Sequence, residues 1–174
     1  MRKRLRADQG FGLIELLIAM VILNVGILAI VASFNAGIIT LNRASRVTTA
    51  AVLGDQQMEL YRAITYDSIR LDASTIPAAA PYTTDAAYYS PQVTTPACTG
   101  SPVPNECNAS RTATGADGKP YRVDSYIVQT TTTSNPPTPT GGRSVKVVTI
   151  VVRDGSDLGK VYVRQASTFD QSTG

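Results

Sequence analysis

The sequence predicts an α+β chain in which one long N-terminal helix packs against a small antiparallel β-sheet. Three observations predict it: an apolar run follows a short basic N-terminus, a helical pattern continues without proline as far as Leu71, and β-rich segments joined by turns fill the C-terminal third. A lone sheet must bury its apolar face on another element. The amphipathic half of the helix is its natural partner.

The N-terminal elements are a basic leader and a membrane-length helix. Residues 1–10 (MRKRLRADQG) are polar and mostly basic, and no ionisable residue follows Glu15 until Arg43. That stretch exceeds the roughly 20 apolar residues that a bilayer-spanning helix needs. Basic charge is heavier on the N-terminal side, which favours a cytoplasmic N-terminus with the bulk of the chain outside. We therefore predict a leader at 1–10 and a transmembrane helix at 11–41.

The helical pattern continues through an amphipathic half, predicted at 42–72. Apolar residues recur there at spacings of three, four or seven, with polar residues mostly between them. A single helix from about Phe11 to about Ile69 would be on the order of 90 Å long.

The positions of the prolines divide the remaining chain into segments. Seven of the ten prolines fall between Pro77 and Pro120, so residues 73–120 are predicted to be an irregular loop, with a short strand near Tyr88 or Val93. Residues 121–167 are predicted to form the antiparallel sheet, and 168–174 a C-terminal tail. The strands are expected at Tyr121–Thr131, Ser144–Arg153 and Lys160–Ser167, the first two joined by the proline-containing connector TTTTSNPPTPTGG.

The composition argues against catalysis. The chain has no histidine and two cysteines, so a His-based acid–base catalyst or a structural zinc site is hard to build, and we expect no enzyme activity, metal or cofactor. The spacing of Asp154 and Asp157 in DGSDLG does not match an EF-hand, and a tight turn explains it. A pI near 9.0 is compatible with nucleic-acid binding, but the net charge of +3 lies partly in the leader and gives it no support.

The segment Gly10-Phe11-Gly12-Leu13-Ile14-Glu15 carries the functional signal. With its basic leader it resembles the type IV prepilin signal, in which prepilin peptidase cuts the Gly–Phe bond on the cytoplasmic side and the new N-terminal Phe is N-methylated. The family usually has Thr or Ser where Gly12 stands. Beyond the motif, the helix is similar in composition and rhythm to PilV-type minor pilins and to the I-type pseudopilins of type II secretion.

This resemblance implies a type IV pilin-like fold and a structural role. Cleavage is expected between Gly10 and Phe11, N-methylation at Phe11, and an assembly role for Glu15. The implied partners are the membrane, prepilin peptidase, the inner-membrane assembly machinery and other pilin subunits in a filament, or fimbrium, used in secretion, adhesion or motility. The implied location is a single-pass membrane precursor and then an extracellular or periplasmic filament.

The cost of burying Glu15 supports the resemblance independently. A carboxylate in an apolar run costs at least ~2.5–3.5 kcal/mol on insertion, so it normally has a partner or a function. Cleavage would create a cationic amine on Phe11, about one helical turn from Glu15, and a neighbouring subunit's carboxylate could pair with it. The alternatives are a conventional signal peptide, and a bitopic membrane-anchored protein whose outer domain binds something.

The two cysteines lie close together among Thr, Ser, Pro and Asn. We predict a disulfide between Cys98 and Cys107, because this segment is expected to face an oxidising space and has few apolar residues to order it. The alternative is two free thiols without a role.

Overall fold

The computed structural model describes residues 12–96, 98, 100, 102–131 and 144–171. Within them, a single α-helix, α1 (Leu13–Arg62), precedes six strands. The strands are β1 (Leu71–Asp72), β2 (Thr94–Thr95), β3 (Ser110–Thr114), β4 (Pro120–Thr131), β5 (Ser144–Asp154) and β6 (Val161–Asp170). Strands β3-β4-β5-β6 form an antiparallel sheet in that order, while β1 and β2 form a short parallel pair. The predicted α+β layout, one long N-terminal helix packed against an antiparallel sheet, is confirmed.

The chain divides into two compact units, residues 1–43 and 44–174. The hydrophobic core belongs to the second unit, where the C-terminal part of α1 buries one stripe of side chains against the sheet. The largest fully buried side chains of this core are Tyr61, Tyr82, Tyr121, Tyr126, Ile69, Leu71, Ile127, Ile150, Val123, Val148 and Val151. The stripe has the three-to-four-residue spacing that a helix needs to cover a sheet with one face.

A close approach between the helix and the sheet requires glycine at residue 115. A Cβ atom at Gly115 would lie 2.5 Å from Cγ2 of Thr49 and 2.7 Å from Cε2 of Tyr121. Real Cβ atoms do not approach other heavy atoms so closely, so the turn between β3 and β4 can lie against α1 only without a side chain at this position.

The helix ends earlier than the sequence suggested. It was expected to reach about Ile69, within an amphipathic half at 42–72, but it ends at Arg62. The next residues form a short 3₁₀ turn whose backbone carbonyls are bound from the sheet. The buried ammonium of Lys146 donates to the carbonyl oxygens of Tyr66 and Ile69 at 2.7 and 2.9 Å. These two carbonyls are therefore bound by a side chain of β5 rather than by a continuing helix.

The predicted loop and tail also differ from the structure. Strand β3 lies inside the segment 73–120 that was expected to be irregular, and β4 begins at Pro120. Strand β6 continues to Asp170, inside the expected tail at 168–174. Strand β3 reads SRTAT, which lacks a clear apolar alternation, but β-branched threonine suits an edge strand and its backbone pairs with β4.

The tyrosines of the proline-rich segment are mostly packing residues. Tyr82 is buried and stacks on Tyr126 of β4 with ring centroids 4.4 Å apart, and Tyr88 meets Tyr82 edge-on. Tyr89 is exposed. Strand β2 follows Val93 directly, close to where a short strand was expected. The β4–β5 connector, residues 132–143, lies outside the described residues.

Candidate functional site: the N-terminal apolar helix

The first unit presents a long apolar helical surface. Every described residue from Gly12 to Arg43 is exposed, and the exposed side chains include Leu13, Val21, Leu28, Phe34 and Leu41. In the part of the chain that the structure describes, α1 is the one helix long and apolar enough to cross a membrane, judged by length and composition. An apolar surface this extensive is unfavourable in water and suits lipid or other apolar helices.

Glu15 lies in the first turn of α1. Its backbone N–H donates to the carbonyl oxygen of Gly12 at 2.9 Å. Its carboxylate has no hydrogen-bond or ion-pair partner among the described residues, although negative charge is favoured near a helix N-terminus. Removing the carboxylate therefore breaks no side-chain contact that the described part of the chain makes.

The two residues of the expected cleavage site, Gly10 and Phe11, lie outside the described residues. Cleavage between them, and methylation of Phe11, remain predictions from the motif. The assembly role of Glu15 is likewise a prediction.

Cys98 and Cys107 are joined by a disulfide with an S–S distance of 2.09 Å. Both ends of the closed loop are bound to Asp72 in β1. The Asp72 carboxylate accepts from the backbone N–H of Cys98 at 2.9 Å, and the Asp72 N–H donates to the carbonyl of Cys107 at 2.8 Å. Hydrogen bonds from the Ser74 hydroxyl, and then from the Cys98 and Ser74 backbone N–H groups, hold the pKa of Asp72 below its usual range.

The sequence analysis missed an ionic contact between the helix and the sheet. Asp154, at the end of β5, accepts hydrogen bonds from Arg46 of α1 and from the Tyr162 hydroxyl, both at 2.7 Å. The Tyr162 hydroxyl, followed by the backbone N–H of Ser156, lowers the pKa of Asp154 to about 2. The other carboxylate oxygen accepts the N–H groups of the following turn, which explains the DGSDLG sequence.

A second missed feature is an ion-pair chain between the proline-rich segment and the sheet. Arg153 bridges the buried carboxylates of Asp85 and Asp124, and its Nε lies 3.0 Å from Asp124. At one end of this ion-pair chain Arg164 pairs with Asp85, and at the other end Arg122 pairs with Asp124. Burial opposes ionisation of Asp85, but the hydrogen bond from Arg164 leaves its pKa below the usual value. Residues this distant in sequence carry no local signal of their pairing.

Comparison with known proteins places a motif on the first unit. Residues 5–31 match the family model described as the prokaryotic N-terminal methylation motif, which is the prepilin-type signal. No curated protein and no solved structure matches the chain significantly. The signal implies processing by prepilin peptidase and assembly with other pilins in a filament. It suggests a structural subunit rather than an enzyme.

The signal at residues 5–31 begins just before the apolar helix and continues into it, which fits a membrane-anchored precursor that later joins a filament. The second unit adds the helix-on-sheet layout that is consistent with a pilin-like fold. The chain thus carries the prepilin-type signal and a layout consistent with the pilin-like fold, and both observations support a type IV pilin-like precursor.

Proposed function

We propose that this protein is a minor pilin or pseudopilin, a structural subunit of an extracellular type IV pilus-like filament. The precursor inserts with its N-terminus in the cytoplasm and its second unit outside. Prepilin peptidase removes residues 1–10 and methylates Phe11, and the subunit then assembles through its apolar helix. One observation carries the proposal: the methylation motif at residues 5–31 overlaps the part of α1, from Leu13 to Leu41, whose apolar side chains are all exposed.

Glu15 has a specific task in this proposal. In the bilayer it lies near the inner surface, where water can hydrate its carboxylate. In the filament the Phe11 amine enters an apolar stem, where a neighbouring subunit's Glu15 neutralises it. Among the described residues this carboxylate has no partner, so it is available to pair with that amine. Truncating one member of a buried ion pair costs roughly 3–5 kcal/mol.

The experiment is to shear cells that express Glu15→Ala or Glu15→Gln and compare mature subunit in the filament and membrane fractions. Both variants should be stable and cleaved but depleted from filaments, because the glutamine keeps the shape and loses the charge. Glu59→Ala is the matched control, since Glu59 is an exposed glutamate of the same helix outside the apolar stretch. Wild-type amounts of Glu15→Ala in the sheared fraction would refute an obligatory pairing role.

A further inference from the structure

Two side-chain amides interrupt the apolar part of α1. Asn24 and Asn35 lie between Glu15 and Leu41, in a stretch without ionisable residues, and both are exposed; the next amide, Asn42, lies at the end of that stretch beside Arg43. At ~1.5 Å per residue, each is within about 10 Å of the middle of that stretch. If the stretch spans the bilayer, as the proposed function requires, both amides lie inside the hydrocarbon core of about 30 Å.

The amides have hydrogen-bonding capacity that the helix does not use. Asn24 donates one N–H to the carbonyl of Met20 at 2.9 Å, and Asn35 makes no hydrogen bond with any described residue. The hydroxyls of Ser33 and Thr40 differ, because each donates to the carbonyl four residues before it at 2.9 Å. A carboxamide offers two donors and one acceptor. Hydrocarbon supplies no water to satisfy them, and an unsatisfied group there costs several kcal/mol.

The two amides share one face of the helix. They are eleven residues apart, which is about three turns. Leu28 and Val31 lie between them, so the face reads 24, 28, 31, 35, with the alternating spacings of four and three that mark the seam of a parallel coiled coil. The stretch is apolar on all sides, so the spacing of its apolar residues does not indicate which face would pack against another helix. The positions of the two amides indicate the face formed by residues 24, 28, 31 and 35.

We propose that the Asn24–Leu28–Val31–Asn35 face is a self-association surface, at which the same helix of a second copy of this chain packs in parallel and in register. This inference rests on the proposed function, because it needs the helix to be in the membrane. A common insertion signal makes all copies parallel. In register, Asn24 faces Asn24 and Asn35 faces Asn35, and each amide can both donate and accept. An Asn in such a seam sets register and partner number in coiled coils.

A displaced or different partner would not satisfy both amides. Sliding one helix by seven residues would set Asn24 against Val31 and leave it unpaired. An apolar helix without amides at these depths would leave both positions unsatisfied. A second copy of this chain carries amides at both of these depths, and it is therefore the partner that fits this face.

The test is oxidative cross-linking of the full chain in membranes. Val31→Cys places a thiol in the seam, and Ser33→Cys places one on the far side of the helix. The described residues contain no free cysteine, because both native cysteines are in the disulfide. We expect Val31→Cys to give at least ten-fold more cross-linked dimer than Ser33→Cys. Adding Asn24→Leu and Asn35→Leu should reduce the Val31→Cys yield at least five-fold.

Equal cross-linking at the two positions, or an unchanged yield without the amides, would overturn the inference. So would a cross-linked product that mass spectrometry shows to contain a different protein. The same membranes separate this result from a failure of the proposed function. If the chain is in the membrane fraction and cleaved at Gly10, but the seam does not cross-link, only this inference fails. If the chain is absent from the membrane, both fail.

Discussion

The side-chain amide of Gln57 donates a hydrogen bond of 2.8 Å to the backbone carbonyl of Asn105, inside the loop that the Cys98–Cys107 disulfide closes. The amide oxygen of Gln57 accepts from Nε of Arg111 in β3 at 2.9 Å. Gln57 is fully buried, so one side chain joins the helix, the disulfide loop and the edge strand.

Replacing Gln57 by leucine should therefore destabilise the second unit. The Asn105 carbonyl and the half-buried Arg111 guanidinium would both lose their partner, and such a loss costs about 1–3 kcal/mol for each group. We expect Gln57→Leu to lower the free energy of unfolding by about 3 kcal/mol, measured by denaturant titration of the chain in detergent. Gln56→Leu changes an exposed neighbour and should have little effect. Equal effects of the two substitutions would contradict the role of Gln57.

The Arg46–Asp154–Tyr162 contact should make stability depend on acid pH. The pKa of Asp154 is about 2 in the folded chain, against about 3.9 for an unperturbed aspartate. Its contribution is therefore complete above about pH 4 and is lost as the pH falls towards 2. Asp154→Asn should lower the free energy of unfolding at neutral pH. Between pH 4 and 2 it should also make the loss of that free energy with falling pH shallower, by the equivalent of up to one bound proton.

Thermal unfolding between pH 2 and 7 measures this effect. Ser156→Ala, in the same turn, is the control and should keep the wild-type pH profile, because it removes no ionisable group and keeps the backbone N–H that binds Asp154. Because Asp72, Asp85 and Asp117 also have lowered pKa values, the Asp154→Asn variant should keep part of the decline. An Asp154→Asn profile parallel to wild type would show that this carboxylate is not held ionised by its contacts.

The disulfide should stabilise the segment that follows the helix. Closing a loop of this length contributes about 2–3 kcal/mol by the chain-entropy estimate. The double substitution Cys98→Ser and Cys107→Ser should lower the free energy of unfolding by that amount, and a reducing agent should do the same to wild type but not to the variant. Non-reducing peptide mapping should show the two cysteines linked. Alkylation of both thiols in freshly isolated, unreduced protein would contradict the pairing.

The broad layout could be predicted because it depends on local patterns. The apolar run, the helical spacing after it and the β-rich segments each identify an element without knowledge of the others. The end of the helix could not be predicted in this way. The apolar spacing continues to Ile69, but Lys146, far away in sequence, binds the carbonyls that end up in a turn. Tertiary contacts decided the outcome there.

Strand β3 and the ion-pair chain were missed for a related reason. SRTAT has little apolar alternation and becomes a strand because β4 offers it an edge. The Asp85–Arg153 pair joins segments that meet only in the folded chain. In the first unit, the expected roles of Gly10, Phe11 and Glu15 come from a short motif, and the structure adds only that the Glu15 carboxylate has no hydrogen-bond or ion-pair partner among the described residues.

The mass of the mature N-terminal peptide tests the central claim most directly. Protein from membranes or sheared filaments should begin at Phe11 and carry one additional methyl group. Gly10→Leu is the matched control and should keep residues 1–10, because a side chain at the cut obstructs close approach of the backbone to the peptidase. An intact Met1 or a cut near residue 33 in the wild-type chain would contradict the account and favour a membrane-anchored or conventionally secreted protein.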